Sequence, residues 1–145
     1  MAENRLNDKL LEILKDLTPC VVATASDNKP YTTFISWLIA KDEETIRFAV
    51  SKNSLTYENV KGNPNVSIEV FGKDTAVSIS GKASIIKEEI EDIPFPVSVI
   101  EVKVQNVVDN LFPGGTVEGG IPFKHTGDVK KAEELDNKVL EALKA

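Results

Sequence analysis

The longest run of period-two alternation in the chain is Thr75 to Lys87. Val77, Ile79, Ala83 and Ile85 alternate there with Ser78, Ser80, Lys82 and Ser84. Such alternation puts apolar side chains on one face of a strand and polar ones on the other. Gly81 falls in the middle, on the apolar register, where a glycine commonly marks a bulge or a barrel corner. Shorter segments of the same kind precede and follow it. Cys20–Ala25 and Tyr31–Ala40 are rich in β-branched and aromatic residues. In residues 45–50, Ile46, Phe48 and Val50 alternate with Arg47 and Ala49. In Asn65–Phe71, Val66, Ile68 and Val70 alternate with Ser67 and Glu69. Val97–Val104 is a last strand of mixed pattern.

The connections decide how these strands are arranged. Ser26–Pro30, Lys41–Glu44 and Gly72–Asp74 are made of turn-forming residues and are too short for a crossover. They predict antiparallel neighbours. Six strands in such a series, with a central glycine, predict a small closed or partly closed barrel, because closure removes exposed strand edges. The expected fold is therefore mainly β, a barrel with α-helices.

Three helices complete the reading. Residues 6–17 carry Leu6, Leu10, Leu14 and Leu17 on one stripe, as a lid packed on a sheet would. A short helix follows the third strand, capped by Asn53 or Ser54 and stopped by Gly62 and Pro64. A C-terminal helix, 128–144, has Val129, Ala132, Leu135, Val139, Leu140 and Leu143 as its apolar stripe. Glu88–Asp92 is a charged connector with Pro94 and Pro96 at its exit. Residues 105–127 read as a loop in which Leu111, Phe112, Ile121 and Phe123 need covering, as a flap over a pocket or a second subunit would require. The whole chain, 1–145, is expected to be one domain, with its barrel core at about 18–105.

Composition excludes several functions. The formal charge of −6 argues against a nucleic-acid binder. One cysteine and one histidine exclude an internal disulfide and multi-cysteine or multi-histidine metal sites. Cys20 reads as a small buried residue and His125 as a solvated loop residue. No apolar run is long enough to span a bilayer, and Met1–Arg5 lacks the core of a signal peptide, so cytoplasm is the expected location. No nucleophile elbow and no catalytic residue stand out.

One stretch carries candidate ligand chemistry, Phe48 to Pro64. A helix start offers free N–H groups and the positive end of a dipole. Here it is surrounded by Ser51, Lys52, Ser54 and Thr56, one cation and three hydroxyls where a phosphate would sit.

With these residues laid out, the chain resembles the FMN-binding split-barrel family related to pyridoxamine 5′-phosphate oxidase, over roughly residues 8 to 105. The resemblance rests on the helix followed by Val21–Pro30, the strand with Thr32-Thr-Phe-Ile-Ser-Trp37, the strand-turn-helix Phe48–Pro64, and Val77-Ser-Ile-Ser-Gly-Lys-Ala83. It implies a six-stranded antiparallel split barrel that forms a homodimer, with FMN in the groove between subunits. Carried over by position, Ser51, Lys52, Ser54 and Thr56 would face the phosphate. Thr32, Thr33, Phe34, Ile35 and Ser36 would line the ring and ribityl chain. Where relatives of the oxidase usually carry an Arg on the second strand and a Lys on the helix, this chain has Thr33 and Thr56, with Lys52 as a substitute cation. The basic residues that grip pyridoxamine phosphate have no counterpart, so that oxidase activity is not expected. The resemblance implies an FMN-binding oxidoreductase whose substrate the sequence does not name. Two alternatives stand beside it. One is a non-catalytic binding protein for FMN, another flavin-like cofactor or haem. The other is a cofactor-free structural dimer.

Overall fold

The computed structural model describes residues 3–145. It contains α1 (Asp8–Ile13), β1 (Cys20–Ser26), β2 (Lys29–Ile35), β3 (Leu38–Asp42), β4 (Thr45–Ser51), α2 (Leu55–Gly62), β5 (Asn65–Gly72), β6 (Thr75–Lys87), β7 (Val97–Asp109) and α3 (Val129–Lys144). The strands form one antiparallel sheet in the order β2-β1-β5-β6-β7-β4-β3. The mainly-β reading with three helices holds.

The edge strands of this sheet, β2 and β3, are consecutive in the chain and separated only by Ser36 and Trp37. A flat seven-stranded sheet would hold its edges roughly 29 Å apart, at about 4.8 Å per neighbour. The Ser36-Trp37 link reaches at most about 11 Å. The sheet must therefore curl until its edges lie side by side, which makes it a barrel. At the seam, the Ala49 amide of β4 donates to the Trp37 carbonyl at 2.9 Å.

This seam corrects the expectation of a single strand over Tyr31–Ala40, and seven strands replace six. The first part pairs with β1, Phe34 against Val21, while the second pairs with β4, Leu38 against Phe48. No continuous strand can serve both edges, so the chain breaks at Ser36-Trp37. β7 is also longer than the expected Val97–Val104. Its extension pairs with the start of β6, Val107 against Ile79 and Asp109 against Val77, and the loop begins only at residue 110. The 6–17 helix shortens to Asp8–Ile13, capped by Asn7. Its C-cap Leu14 accepts the Ala40 amide, and Thr18 donates its amide to Leu38, so this end of the segment bonds to β3 instead of continuing to wind.

Gly81 behaves as the alternation predicts. The β6–β7 register shifts between Ser80 and Gly81. A Cβ on Gly81 would lie 2.1 Å from the Lys103 carbonyl oxygen. That contact is backbone and cannot move aside.

Two apolar clusters fill the molecule. Inside the barrel, Val22, Leu38, Ile46, Phe48, Ile68, Ile79 and Ile100 meet Leu6, Leu10 and Leu14 from the α1 segment. Outside it, Val139 and Leu143 of α3 pack on Ile39, Ala49, Val97 and Val99. β4 and the start of β7 are thus buried on both faces, which erases simple alternation and explains the mixed pattern of Val97–Val104. Arg47 secures the outer layer. Its Nε bonds Glu101 of β7 at 3.0 Å, and its Nη1 donates to the Leu143 carbonyl at 3.1 Å. Cys20 is fully buried, and burial pushes its thiol up to about 12, so it is inert as a nucleophile. No helix of the described residues is long and apolar enough to cross a membrane.

Gly81→Ala is expected to cost about 2–4 kcal/mol in urea unfolding, because the added methyl meets backbone. Gly62→Ala, where nothing lies within 4 Å, is expected to change stability little. Equal stability of the two variants would contradict the close approach.

Candidate functional site

Barrel closure brings β2, the seam and the start of α2 together. Between them lies a cleft of about 300 Å³, open along one side. Tyr31, Thr33, Ile35 and Ser36 line it from β2 and the seam, Trp37, Ala49 and Val50 form an apolar wall, and Ser51, Ser54 and Thr56 close the far end. Phe34 also borders it. Of the residues singled out in the sequence, Thr33, Phe34, Ile35, Ser36, Ser51, Ser54 and Thr56 converge here.

Thr32 and Lys52 do not line the cleft. Thr32 is exposed and lies on the face of β2 opposite Thr33, as strand alternation requires. Lys52 turns to the charged connector. Its Nζ lies 3.6 Å from a carboxylate oxygen of Glu88 and 3.6 Å from one of Glu89. Tyr31 and Trp37 were missed. Tyr31 shares the register of Thr33 and Ile35, which was the available signal. Trp37 gave none, because its position depends on the strand break.

The turn before α2 is ordered by its own hydroxyls. Ser54 is the N-cap; its oxygen accepts from the Tyr57 amide at 3.2 Å, and its proton goes to the Ser51 carbonyl at 2.7 Å. Ser51 Oγ accepts from the Asn53 amide at 3.1 Å. Ser54 therefore builds the turn, while Ser51 and Thr56 remain able to donate into the cleft. Thr56 is buried at its floor. α2 is fixed to the barrel by Asn59, whose Nδ2 donates to Thr24 of β1 at 3.0 Å. Leu55 at the start of α2 is exposed, while Tyr57, Asn59 and Val60 are buried.

The Tyr57 hydroxyl donates to Glu88. That bond, aided by burial, pushes the phenol from its ordinary 10.0 up to about 12. The same bond, with help from Lys52, holds the Glu88 carboxyl below its ordinary 4.5. Glu88 and Glu89 thus form an acidic screen beside the hydroxyl end of the cleft, with Lys52 neutralising part of it.

The C-terminal segment reaches the other end. Phe123 packs on Phe34 with ring centroids 5.5 Å apart. His125 is half-buried, with Nε2 2.7 Å from Asp136 Oδ2, which corrects its reading as a solvated residue. Between residues 110 and 128 the loop is pinned at Asp74, whose amide donates to Val117 and whose carboxylate accepts from Thr116. Phe112 stays 71% exposed. Among the described residues, no group of histidine, cysteine and carboxylate side chains could hold a metal ion.

A family model described as pyridoxamine 5′-phosphate oxidase matches residues 6–111. The chain belongs to that family. Residues 112–145 lie beyond the matched region. No curated protein matches the chain in sequence. Three solved structures illustrate its likeness to the family's barrels. A suggested pyridoxamine 5′-phosphate oxidase of Listeria innocua is 21% identical, with a TM-score of 0.58, over 71% of this chain and 96% of that one. An F420 reductase is 17% identical, with a TM-score of 0.59, over 71% and 98%. A FAD-binding protein of Mesorhizobium loti is 12% identical, with a TM-score of 0.55, over 74% and 95%. At these identities the likeness is one of fold.

Tyr57→Phe removes a bond whose contribution has a defined pH window. A raised phenol and a lowered carboxyl both favour the folded state between about pH 4.5 and 10. The stability difference from wild type is expected to be full in that range. It should shrink as pH rises from 10 toward 12, and also as pH falls below 4.5. A difference independent of pH would contradict the Tyr57–Glu88 bond.

Proposed function

We propose that the chain is a flavin-binding protein that holds FMN in the Tyr31–Thr56 cleft, and that it is an oxidoreductase acting as a homodimer. The observation that carries this reading is the convergence of a strand face, an apolar wall and a hydroxyl-lined helix start in one cleft of a pyridoxamine 5′-phosphate oxidase family barrel. Those residues fit the group. Tyr31 and Thr33 present the β2 surface against which a ring can lie, backed by buried Ile35, and Trp37, Ala49 and Val50 exclude water from it. Ser51, Thr56 and the first amides of α2 supply donors for a phosphate.

Bound flavin would supply hydride or single-electron transfer. The protein's part is to bind, orient and desolvate. The cleft is open along one side, so one chain covers one face of a ligand and a second copy covers the other. Phe34, Phe95, Phe112 and Phe123 are each at least 45% exposed and offer apolar surface for such a partner. The cofactor-free reading draws on the Lys52 pairing, which leaves hydroxyls and amides as the donors at the phosphate end.

The test is to titrate FMN and riboflavin separately and follow flavin fluorescence. FMN is expected to bind more tightly. The double variant Ser51→Ala/Thr56→Ala is expected to lower FMN affinity roughly tenfold and leave riboflavin unchanged. Glu88→Gln/Glu89→Gln, which releases Lys52, is expected to raise FMN affinity a fewfold, on the order of an exposed ion pair's worth. Equal wild-type affinity for both ligands would contradict the phosphate assignment, and uptake of neither would contradict the flavin reading. A monomer at micromolar concentration in light scattering would contradict the dimer.

A further inference from the structure

The Trp37 side chain at the seam of the barrel is hydrogen-bonded by a residue that lies outside the family-matched region. Trp37 lines the cleft, and its indole Nε1 donates to Asp136 Oδ1 of α3 at 2.8 Å. The other oxygen of the same carboxylate meets His125 Nε2 at 2.7 Å. His125 stands edge-on to Phe123, with ring centroids 5.5 Å apart and an interplanar angle of 79°. Phe123 in turn packs on Phe34 at 5.5 Å, tilted by 41°. The chain of contacts runs Trp37, Asp136, His125, Phe123, Phe34. Both of its ends border the cleft. Its three inner members all follow residue 111, where the family match stops.

Asp136 is the junction. A half-buried indole N–H requires an acceptor, and the side chain of Asp136 is only 25% exposed. One carboxylate accepts from two rings in different directions, so neither ring can turn without giving up a hydrogen bond. Ser36 and Trp37 belong to no strand. The Ala49 amide fixes the Trp37 backbone and the outer apolar cluster packs on its ring, while Asp136 provides the hydrogen bond that sets the indole's direction. A carboxylate fixed on a sixteen-residue helix, itself buried through Val139 and Leu143, provides a rigid anchor.

We infer that Asp136 is a positioning residue of the cleft, holding Trp37 directly and Phe34 through His125 and Phe123, so that the segment after residue 111 sets the shape of the ligand site. The part that concerns ligand binding rests on the flavin reading above. The part that concerns Trp37 does not.

Trp37 is the chain's single tryptophan, so its emission reports the anchor with no ligand added. In Asp136→Leu the emission is expected to move to longer wavelength and to become more accessible to acrylamide. Asp136→Asn keeps the shape and one acceptor oxygen, and is expected to show a smaller change in the same direction. If circular dichroism shows that the Leu variant is unfolded, the Asn variant decides. With FMN and riboflavin added, the Leu variant (or the Asn variant in its place) is expected to bind both more weakly by the same factor, roughly fivefold for the Leu change. Their affinity ratio, set at the hydroxyl end, is expected to stay unchanged. Wild-type emission and quenching in a folded Asp136 variant would overturn the anchor. A shifted emission with wild-type flavin affinity would overturn its role in shaping the site. If wild type binds no flavin, the emission experiment still decides the Trp37 anchor, while the flavin reading and the shaping role that depends on it fall.

Discussion

The link of two residues between the edge strands of the sheet governs this molecule. Ser36 and Trp37 carry the chain from β2 to β3. Those strands would be far apart in any flat sheet, so closure follows from covalent geometry before any side chain is considered. Closure then dictates what the interior holds. Ile46, Phe48, Ile68 and Ile79 face one another across a space sealed by the leucines of the α1 segment. It also dictates where the cleft lies, because it draws the β2 face and the start of α2 to the same side of the seam.

The same closure leaves the outer face of β3 and β4 to be covered, and α3 covers it. Burying Val139 and Leu143 there turns part of the wall into a two-sided core. It also carries Asp136 to the back of Trp37. One helix therefore both covers the barrel wall and holds a side chain that lines the cleft. At the opposite end of the cleft the balance is electrostatic. Lys52 sits next to Ser51 yet pairs with Glu89 and with Glu88, the latter also bonded by the Tyr57 hydroxyl. Exposed pairs of this kind are weak, so Lys52 is held only loosely by the connector.

Much of this was legible in the residues. Alternation and turn chemistry located the hairpins, and Gly81 on the apolar register marked the bulge. The cap was legible as Asn53 or Ser54, of which the structure takes Ser54, and the hydroxyls around it as a candidate anion site. What escaped were features decided at long range. Nothing in Tyr31–Ala40 interrupts its β-forming residues, and the break there exists only because the two halves serve opposite edges. Gln105 and Asn106 read as the start of the loop, but β6 offers partners to Asn106 and to the residues beyond it as far as Asp109. Leu17 fits a helical stripe with Leu14, yet the backbone there is taken up by β3. The direction of Lys52 depends on a connector thirty-odd residues away, and the pairing of His125 on a helix that follows it. Local pattern carries none of that information.

The most direct test of the account is the visible absorption spectrum of the protein as purified, with any released chromophore identified by mass. A flavin spectrum and the mass of FMN, at up to one per chain, are expected. A colourless protein that also fails to take up added FMN would contradict it, leaving a closed barrel whose cleft serves some other ligand or only the pairing of two chains.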